Sequence, residues 1–224
     1  MDQKFMTAAD VAYHIIKQKI VAGEYKPGMR LSRRKMAEAT DVSVIPVIEA
    51  LKRLEEDYLV ESKPKWGSFV TIPCRERVIR IYQFREGLEC QIARILAETM
   101  TNAQRNEIYA IATEMDSVSY TQTKVKRELH LKFHSKLAEY TNNTLFSTAL
   151  ERINLFWILC RATDVIMTVK GDRVRYWHRY LVDQIASGDA DAAEAAMREH
   201  VRDALEPLLM QIPEEWNKNG PALF

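Results

Sequence analysis

Four of the five histidines in the chain have the chemistry and spacing to bind one metal ion. His130 and His134 are four residues apart, so they project from the same face of a helix. His178 and His200 lie on two further segments with helical patterns. Imidazoles from facing helices of a bundle are suitable ligands for zinc, nickel or a similar divalent metal. A single histidine is more often a surface or core residue than a metal ligand, so we assign no site to His14. For the pair of His130 and His134, metal binding and packing are equally good interpretations.

The segments that carry these histidines predict an all-α antiparallel bundle. Helical periodicity dominates after residue 77, strand-like alternation is lacking, and Gly171, Gly188 and Pro213 separate the segments. We predict a linker over 73–77, the helical domain over 78–212 and a frayed tail over 213–224. The predicted helices are Glu76–Met100, Asn102–Tyr120, Thr123–Tyr140, Asn143–Met167, Asp172–Ser187 and Asp189–Gln211.

Residues 1–72 predict a winged helix-turn-helix, with three short helices followed by a β-hairpin. Thr7 is a suitable N-cap for the first helix, and Ser32 and Ser43 are suitable N-caps for the second and third. Asp41 lies in the tight turn between the last two helices, where a left-handed conformation is tolerated. The predicted strands are Tyr58–Val60 and Ser68–Thr71.

This architecture predicts contact with double-stranded DNA. The third helix of such a domain enters the major groove, while the second helix and the wing neutralise phosphates. Five basic residues and no acidic one lie in the stretch 25–37. A basic run by itself is more often solvated surface, and a three-helix interaction module is the alternative to a DNA-binding domain. The predicted DNA-binding residues are Arg33, Arg34, Lys35, Ser43, Lys63 and Lys65.

Composition excludes several protein classes. The 224 residues carry 32 basic and 31 acidic side chains, so the chain is not a highly charged nucleic-acid coat. Its three cysteines are far apart in sequence and form neither a disulfide framework nor a CxxC metal site. The longest apolar run, Leu155–Cys160, is too short to span a membrane, and the N-terminus lacks an apolar signal core. We therefore expect a cytoplasmic protein without membrane contact.

The N-terminal pattern covers nearly all of residues 8–71 and resembles the DNA-binding domain of the GntR family. That family usually has arginines after the capping serine and before the glutamate of helix three, where this sequence has Val44 and Ile48. An aliphatic side chain cannot replace a bidentate guanidinium. The matching residues are Ile20, Gly23, Pro27, Gly28, Leu31, Ala37, Val42, Ser43, Pro46, Val47, Glu49, Ala50, Leu51, Leu54, Leu59, Val60 and Gly67–Val70.

A second pattern over most of residues 78–205 resembles the FCD ligand-binding domain, which follows the winged helix in the FadR subgroup of GntR regulators. Its residues include Arg85, Leu88-Glu89, Phe133-His134, Asn142-Asn143, His178, Gly188-Asp189 and His200. In many members of that family, one aspartate and three histidines bind a divalent metal. The resemblance implies His134, His178 and His200 as the three histidines, and it places His130 at the aspartate position. An all-imidazole site would favour softer metals. Because imidazole is a neutral ligand, the ion would also keep its full positive charge.

The FCD resemblance also implies a carboxylate effector that binds beside the metal. An arginine on the first helix of the domain often holds such effectors, and Arg85 matches it. A structural ion pair with Glu89, four residues on, is an equally good interpretation of Arg85. Arg161 is a second predicted effector contact.

We therefore predict a homodimeric, DNA-binding transcription regulator controlled by a small organic acid. A metal-dependent hydrolase is the first alternative, but the sequence has neither HExxH nor GxSxG, so we predict that the chain is not an enzyme. A metal-free regulator with an apolar ligand pocket is the second alternative. Phe156 and Trp157 could line such a pocket, although both are typical core residues.

Overall fold

The computed structural model describes residues 6–118, 122–160 and 177–218. The described residues form two compact units. The N-terminal unit contains the residues up to Pro73 together with Leu155–Cys160, and the C-terminal unit contains Cys74–Asn154 and the residues from 177 to 217. Within the described ranges, no helix is both long and apolar enough to cross a membrane.

The N-terminal unit is a winged helix-turn-helix, as predicted. Three helices accompany an antiparallel sheet with the strand order β1-β3-β2. Asp41, which ends the second helix, has the left-handed conformation expected of it, with φ 52°. The elements are α1 (Ala8–Val21), β1 (Arg30–Leu31), α2 (Arg33–Thr40), α3 (Val44–Glu56), β2 (Val60–Lys63) and β3 (Gly67–Val70).

Helix α1 packs on α3 through apolar stripes at helical spacing. The capping box at the start of α1 joins Thr7 and Asp10, and Asp10 also accepts a hydrogen bond from Nη1 of Arg53 at 2.7 Å. This contact links the first turn of α1 to α3. The buried stripes are Ala12, Ile16 and Ile20 of α1, and Val47, Ala50, Leu51 and Leu54 of α3.

The hairpin differs from the sequence prediction in two places. The predicted strand Tyr58–Val60 is displaced, because Tyr58 adopts a left-handed conformation with φ 61° and the strand runs from Val60 to Lys63. Strand β1 was not predicted; it pairs Arg30 with Phe69 and is only two residues long. Two residues are too short to show the alternation by which a strand is recognised.

The C-terminal unit consists of helices, in agreement with the predicted fold class. Helix α4 begins at Arg75, inside the predicted linker, and a short helix occupies part of the predicted tail. The predicted helices Asn143–Met167 and Asp172–Ser187 lie partly outside the described residues. The helices are α4 (Arg75–Thr99), α5 (Asn102–Ser117), α6 (Thr123–Tyr140), α7 (Thr144–Leu159), α8 (Trp177–Ala186), α9 (Ala190–Met210) and α10 (Glu214–Lys218), of which α7 belongs to this unit up to Asn154 and α10 up to Asn217.

Helix α4 packs along α9 and also contacts α6 and α8. The buried residues of α9 include Ala193, Ala196 and Ala204, whose small side chains allow helices to approach closely. The buried residues of α4 recur every three or four positions, so they form one face, and that face includes two ionisable residues. The face consists of Val78, Tyr82, Arg85, Glu89, Ile92, Ala93 and Leu96. Arg85 and Glu89 are thereby directed into the unit instead of toward water.

Candidate metal centre and basic groove

Helices α6, α8 and α9 bring four histidines together inside the C-terminal unit. His130 and His134 come from α6, His178 from α8 and His200 from α9. One ligand atom from each of the four residues lies within 4.8 Å of the corresponding atoms of the other three. All four side chains are buried, with exposed fractions of 7%, 1%, 4% and 5% in chain order. The structure therefore brings together the complete set of predicted ligands.

The geometry of the cluster follows from helix spacing and helix packing. The rings of His130 and His134 are 4.4 Å apart because residues at i and i+4 are neighbours on one helix face. His178 is the second residue of α8, and its ring lies 4.8 Å from that of His200. The Nε2 atoms of His134 and His200 are 3.2 Å apart.

The four imidazoles are in the charge state that metal binding needs. Burial, together with the neighbouring histidines, lowers the pKa of His130, His178 and His200 well below its ordinary value. Burial also lowers the pKa of His134, although Glu89 opposes this effect. Neutral imidazoles are therefore present at neutral pH, and only the neutral form has a lone pair to donate to a cation.

Two nitrogens of the cluster support the fit to a cation. Among the described residues, neither Nε2 of His178 nor Nδ1 of His200 has a hydrogen-bond partner. Leaving a buried polar atom without a partner costs about 1–3 kcal/mol. Packing alone does not explain two imidazoles with such a cost at one place. Four nitrogen donors suit a borderline metal such as zinc or nickel.

Glu89 is part of the site, although the sequence indicated it only as an ion-pair partner of Arg85 and as one of the residues that resemble the FCD domain. Its Oε2 accepts a hydrogen bond from Nδ1 of His134, which leaves Nε2 of that ring directed at the cluster. Burial would raise the pKa of Glu89, but Arg85 and His134 outweigh it and hold that pKa well below its usual range. A carboxylate that fixes the tautomer of a liganding histidine is typical of metal sites.

The structure shows the ion pair that was one interpretation of Arg85, and the effector contact stays a prediction. Its Nε donates to Oε1 of Glu89 at 2.5 Å, so the structural ion pair exists. Its Nη2 lies 3.5 Å from Nε2 of His134, so the same guanidinium also faces the histidine cluster. Arg161, the other predicted effector contact, lies outside the described residues.

Lys126 is a second buried cation near the cluster that the sequence analysis missed. It lies one helical turn before His130, and its Nζ donates to the carbonyl of Met115 at 3.2 Å. Burial is the largest cause that lowers the pKa of His178. Charge interactions with His134, Arg85 and Lys126 lower it further. The signal in the sequence was the spacing of Lys126, His130 and His134, each four residues from the next.

We expect the metal-free protein to lose stability as the pH falls from about 7.5 to about 5. The folded state holds the pKa of His130, His178 and His200 below 6.5, so the unfolded state binds more protons in this range. Each imidazole removes up to about 1.4 kcal/mol of unfolding free energy per pH unit below 6.5. Urea unfolding of chelator-treated protein at several pH values measures the slope.

The exposed His14 provides the control for this pH dependence. The variant His14→Gln keeps all four buried imidazoles and should still lose stability as the pH falls. Equal unfolding free energies at about pH 7.5 and about pH 5.5 would contradict the assignment of buried, neutral imidazoles.

In the N-terminal unit, basic side chains line an open groove between α2 and the hairpin. We define this basic groove by Arg30, Arg33, Arg34, Lys63, Lys65 and Trp66, and it encloses about 620 Å³. It contains four of the six predicted DNA-binding residues. Lys35 and Ser43 are exposed but do not line it. Arg30 and Trp66 line the groove but were not among the predicted DNA-binding residues.

The starts of α2 and α3 are suited to anions. Ser32 and Ser43 occupy the N-cap positions, but neither side chain makes the capping hydrogen bond. The first turn of each helix lacks an acidic residue, and that of α2 carries three basic ones. Basic residues at a helix N-terminus are unfavourable for the helix dipole unless an anion lies nearby. A phosphate at this place would relieve that cost.

Comparison with known proteins agrees with both parts of this description. Residues 80–203 match the model of the FCD domain, and residues 8–70 match the model described as bacterial regulatory proteins, gntR family. The chain is 23% identical over 209 residues to the HTH-type transcriptional regulator YdhC of Bacillus subtilis, covering 92% of this chain and 93% of that protein. It is 25% identical over 204 residues to the HTH-type transcriptional repressor RspR of Escherichia coli, covering 91% and 89%.

Solved structures share the fold. A GntR transcriptional regulator from Rhodococcus sp. RHA1 superposes with a TM-score of 0.71 at 24% identity, over 93% of this chain and 100% of that one. McbR/YncC of Escherichia coli superposes with a TM-score of 0.69 at 17% identity, over the same shares of the two chains. At these identities the likeness establishes the fold.

Proposed function

The chain belongs to the GntR family of bacterial regulatory proteins and is a DNA-binding transcription regulator with an FCD domain, and on that premise we propose that a carboxylate effector controls it from a metal site. The relatives are regulators as well, which confirms the prediction that the chain is not an enzyme. The hydrolase alternative is therefore wrong. The proposal concerns the metal, the effector and the oligomeric state.

The observation that carries the proposal is the convergence of four buried imidazoles on one point. His130, His134, His178 and His200 would hold a divalent ion, with zinc or nickel favoured by four nitrogen donors. When bound, the metal supplies a positive charge and a position at which a carboxylate oxygen can bind. Glu89 orients His134 through Nδ1, so the Nε2 of that ring stays available.

Arg85 supports a carboxylate as the effector. Because its Nε pairs with Glu89, the charge of that guanidinium is partly compensated, yet Nη2 still faces the cluster. A small organic acid that enters the site would meet Arg85, and the four imidazoles contribute no negative charge that would repel it. We propose Arg85 as an effector contact and keep Arg161 as a second one by its place in the sequence.

DNA recognition supports the proposal of a homodimer. One recognition helix covers only a few base pairs, so paired half-sites at a fixed separation give enough specificity. An effector regulates such a dimer only if it binds the DNA-competent and DNA-incompetent states with different affinities. We propose that the effector changes the separation of the two winged helices, and that the protein acts in the cytoplasm, where its DNA lies.

The test measures DNA affinity while carboxylic acids are added. A DNA fragment selected by the protein from a random library is bound to zinc-loaded and to chelator-treated protein, and acetate, succinate and citrate are titrated into each complex. We expect at least one acid to change the affinity of the zinc-loaded protein by about 5-fold or more. The chelator-treated protein should not respond.

Two results would contradict the proposal. If the acids change the DNA affinity of the zinc-loaded and the chelator-treated protein equally, the metal has no role in effector binding. A response to an apolar ligand together with none to any acid would favour the metal-free regulator with an apolar pocket.

A further inference from the structure

The first half of α3 exposes three aliphatic side chains that the domain itself does not use. Val44, Ile45 and Ile48 have exposed fractions of 42%, 78% and 42%. They lie on neighbouring positions of one helix face, since i, i+3 and i+4 are adjacent. We call this surface the aliphatic face of α3. The buried side of the same helix is formed by other residues, among them Val47 and Leu51.

Neither stability nor helix propensity explains the aliphatic face. All three residues are β-branched, and β-branched side chains lose rotamer freedom in a helix. Their exposed carbon atoms gain nothing from the hydrophobic effect while they face water. A contiguous exposed apolar patch commonly marks a binding surface. The three side chains therefore contribute through a partner that covers them.

The charges around the face identify the partner as DNA. Arg33, Arg34 and Lys35 lie at the start of α2, and exposed Lys52 lies on α3 one turn after Ile48. The basic groove adds further cations from β1 and the hairpin tip. An apolar strip on the third helix, with cations on the second helix, farther along α3 and on the hairpin, matches a major groove, whose floor of base edges lies between two rows of phosphates.

The remaining polar group on this part of α3 is compatible with that position. Glu49 is exposed beside Ile45 and Ile48 and would repel a phosphate. Over base edges it can instead accept a hydrogen bond from the amino group of cytosine. Glu49 thus places the first half of α3 over bases, while the arginines and lysines contact the backbone.

We infer that α3 reads the C5-methyl groups of thymine with Val44, Ile45 and Ile48, so that the operator places thymines under this helix. In the major groove the thymine methyl is the one apolar group among the base edges, and aliphatic side chains recognise it by contact. Guanine is read by arginine or lysine, and neither stands at these three positions. The inference rests on the DNA-binding role of the chain and is independent of the metal and the effector.

The test removes the methyl groups from the DNA and leaves its charge unchanged. The full chain selects its preferred sites from a random library without any acid present, and the winning site is then made with uracil in place of thymine. We expect thymines at the positions under α3, and about a fourfold loss of affinity for each contacted methyl that is removed. The salt dependence of binding should stay the same for both DNAs, because no phosphate contact changes.

Two variants separate the aliphatic face from the charges. The variant Ile45→Ser/Ile48→Ser should lose most of the preference for thymine DNA over uracil DNA. Its salt slope should be the same as that of the unchanged chain. In Arg33→Gln/Arg34→Gln, both DNAs should bind more weakly by the same factor, with the slope reduced by about one for each lost phosphate contact. The melting temperature of each variant checks that it folds.

Several outcomes would overturn the inference. The inference is wrong if uracil DNA binds as tightly as thymine DNA. It is also wrong if the selected sites have guanine and cytosine under α3. A serine variant that keeps the full thymine preference but changes oligomeric state would make the aliphatic face a protein interface. Each of these results leaves the effector titration on the metal-loaded protein free to succeed or fail separately.

Discussion

His134→Ala is expected to abolish metal retention, lowering the metal content from about one ion per chain to background. His134 has a central place in the cluster, because its Nε2 faces that of His200 at 3.2 Å and its Nδ1 is fixed by Glu89. Removing the ring takes away one donor and leaves the carboxylate of Glu89 without that partner. Elemental analysis of the purified variant, after dialysis against trace zinc, measures the effect.

The same variant should lose the stabilisation that the metal provides. A ligand present at about 100 times its Kd stabilises the folded state by about 2.7 kcal/mol, and this gain disappears with the site. The melting temperature of the unchanged chain should therefore rise on addition of zinc, and that of His134→Ala should not. His14→Ala is the matched control, since His14 is exposed and belongs to the N-terminal unit. Full metal occupancy in His134→Ala would rule out the four-histidine site.

Glu89→Ala should be among the most destabilising single substitutions in the C-terminal unit. The carboxylate is buried, pairs with Arg85 at 2.5 Å and also accepts a hydrogen bond from His134. Its removal leaves a buried guanidinium without its countercharge, which costs about 3–5 kcal/mol. Urea unfolding of chelator-treated protein gives the loss free of any contribution from metal.

Helix α4 itself supplies the control for this substitution. Glu76 and Arg80 form an ion pair with the same i,i+4 spacing at 2.7 Å, but both side chains are more than half exposed. Glu76→Ala should therefore cost less than about 1 kcal/mol. The double variant Arg85→Met/Glu89→Leu should recover much of the loss, because it removes both buried charges and keeps the volume. Equal costs for Glu76→Ala and Glu89→Ala would contradict this account of the buried pair.

The local features of the chain were predictable because they depend on short spacings. The left-handed Asp41 and the i,i+4 pair of His130 and His134 both follow from a few neighbouring residues. Tyr58 shows the limit of this approach, since its positive φ excludes it from a strand that its residue type favours. The same holds for β1, which exists because β3 offers it hydrogen bonds.

The amino-acid sequence alone predicted the winged helix, the helical bundle, the family resemblance and the four candidate ligands. These features were predictable because periodicity, caps and turn residues act over less than about ten positions. Packing decided which distant side chains meet. The lateral position and rotation of α4, α8 and α9 against α6 brought His178, His200, Arg85 and Glu89 to one point. Packing of α1 and α2 on the other side of α3 left Val44, Ile45 and Ile48 exposed. Neither result is encoded in a local spacing, because a helix specifies its faces but not which neighbour will cover them.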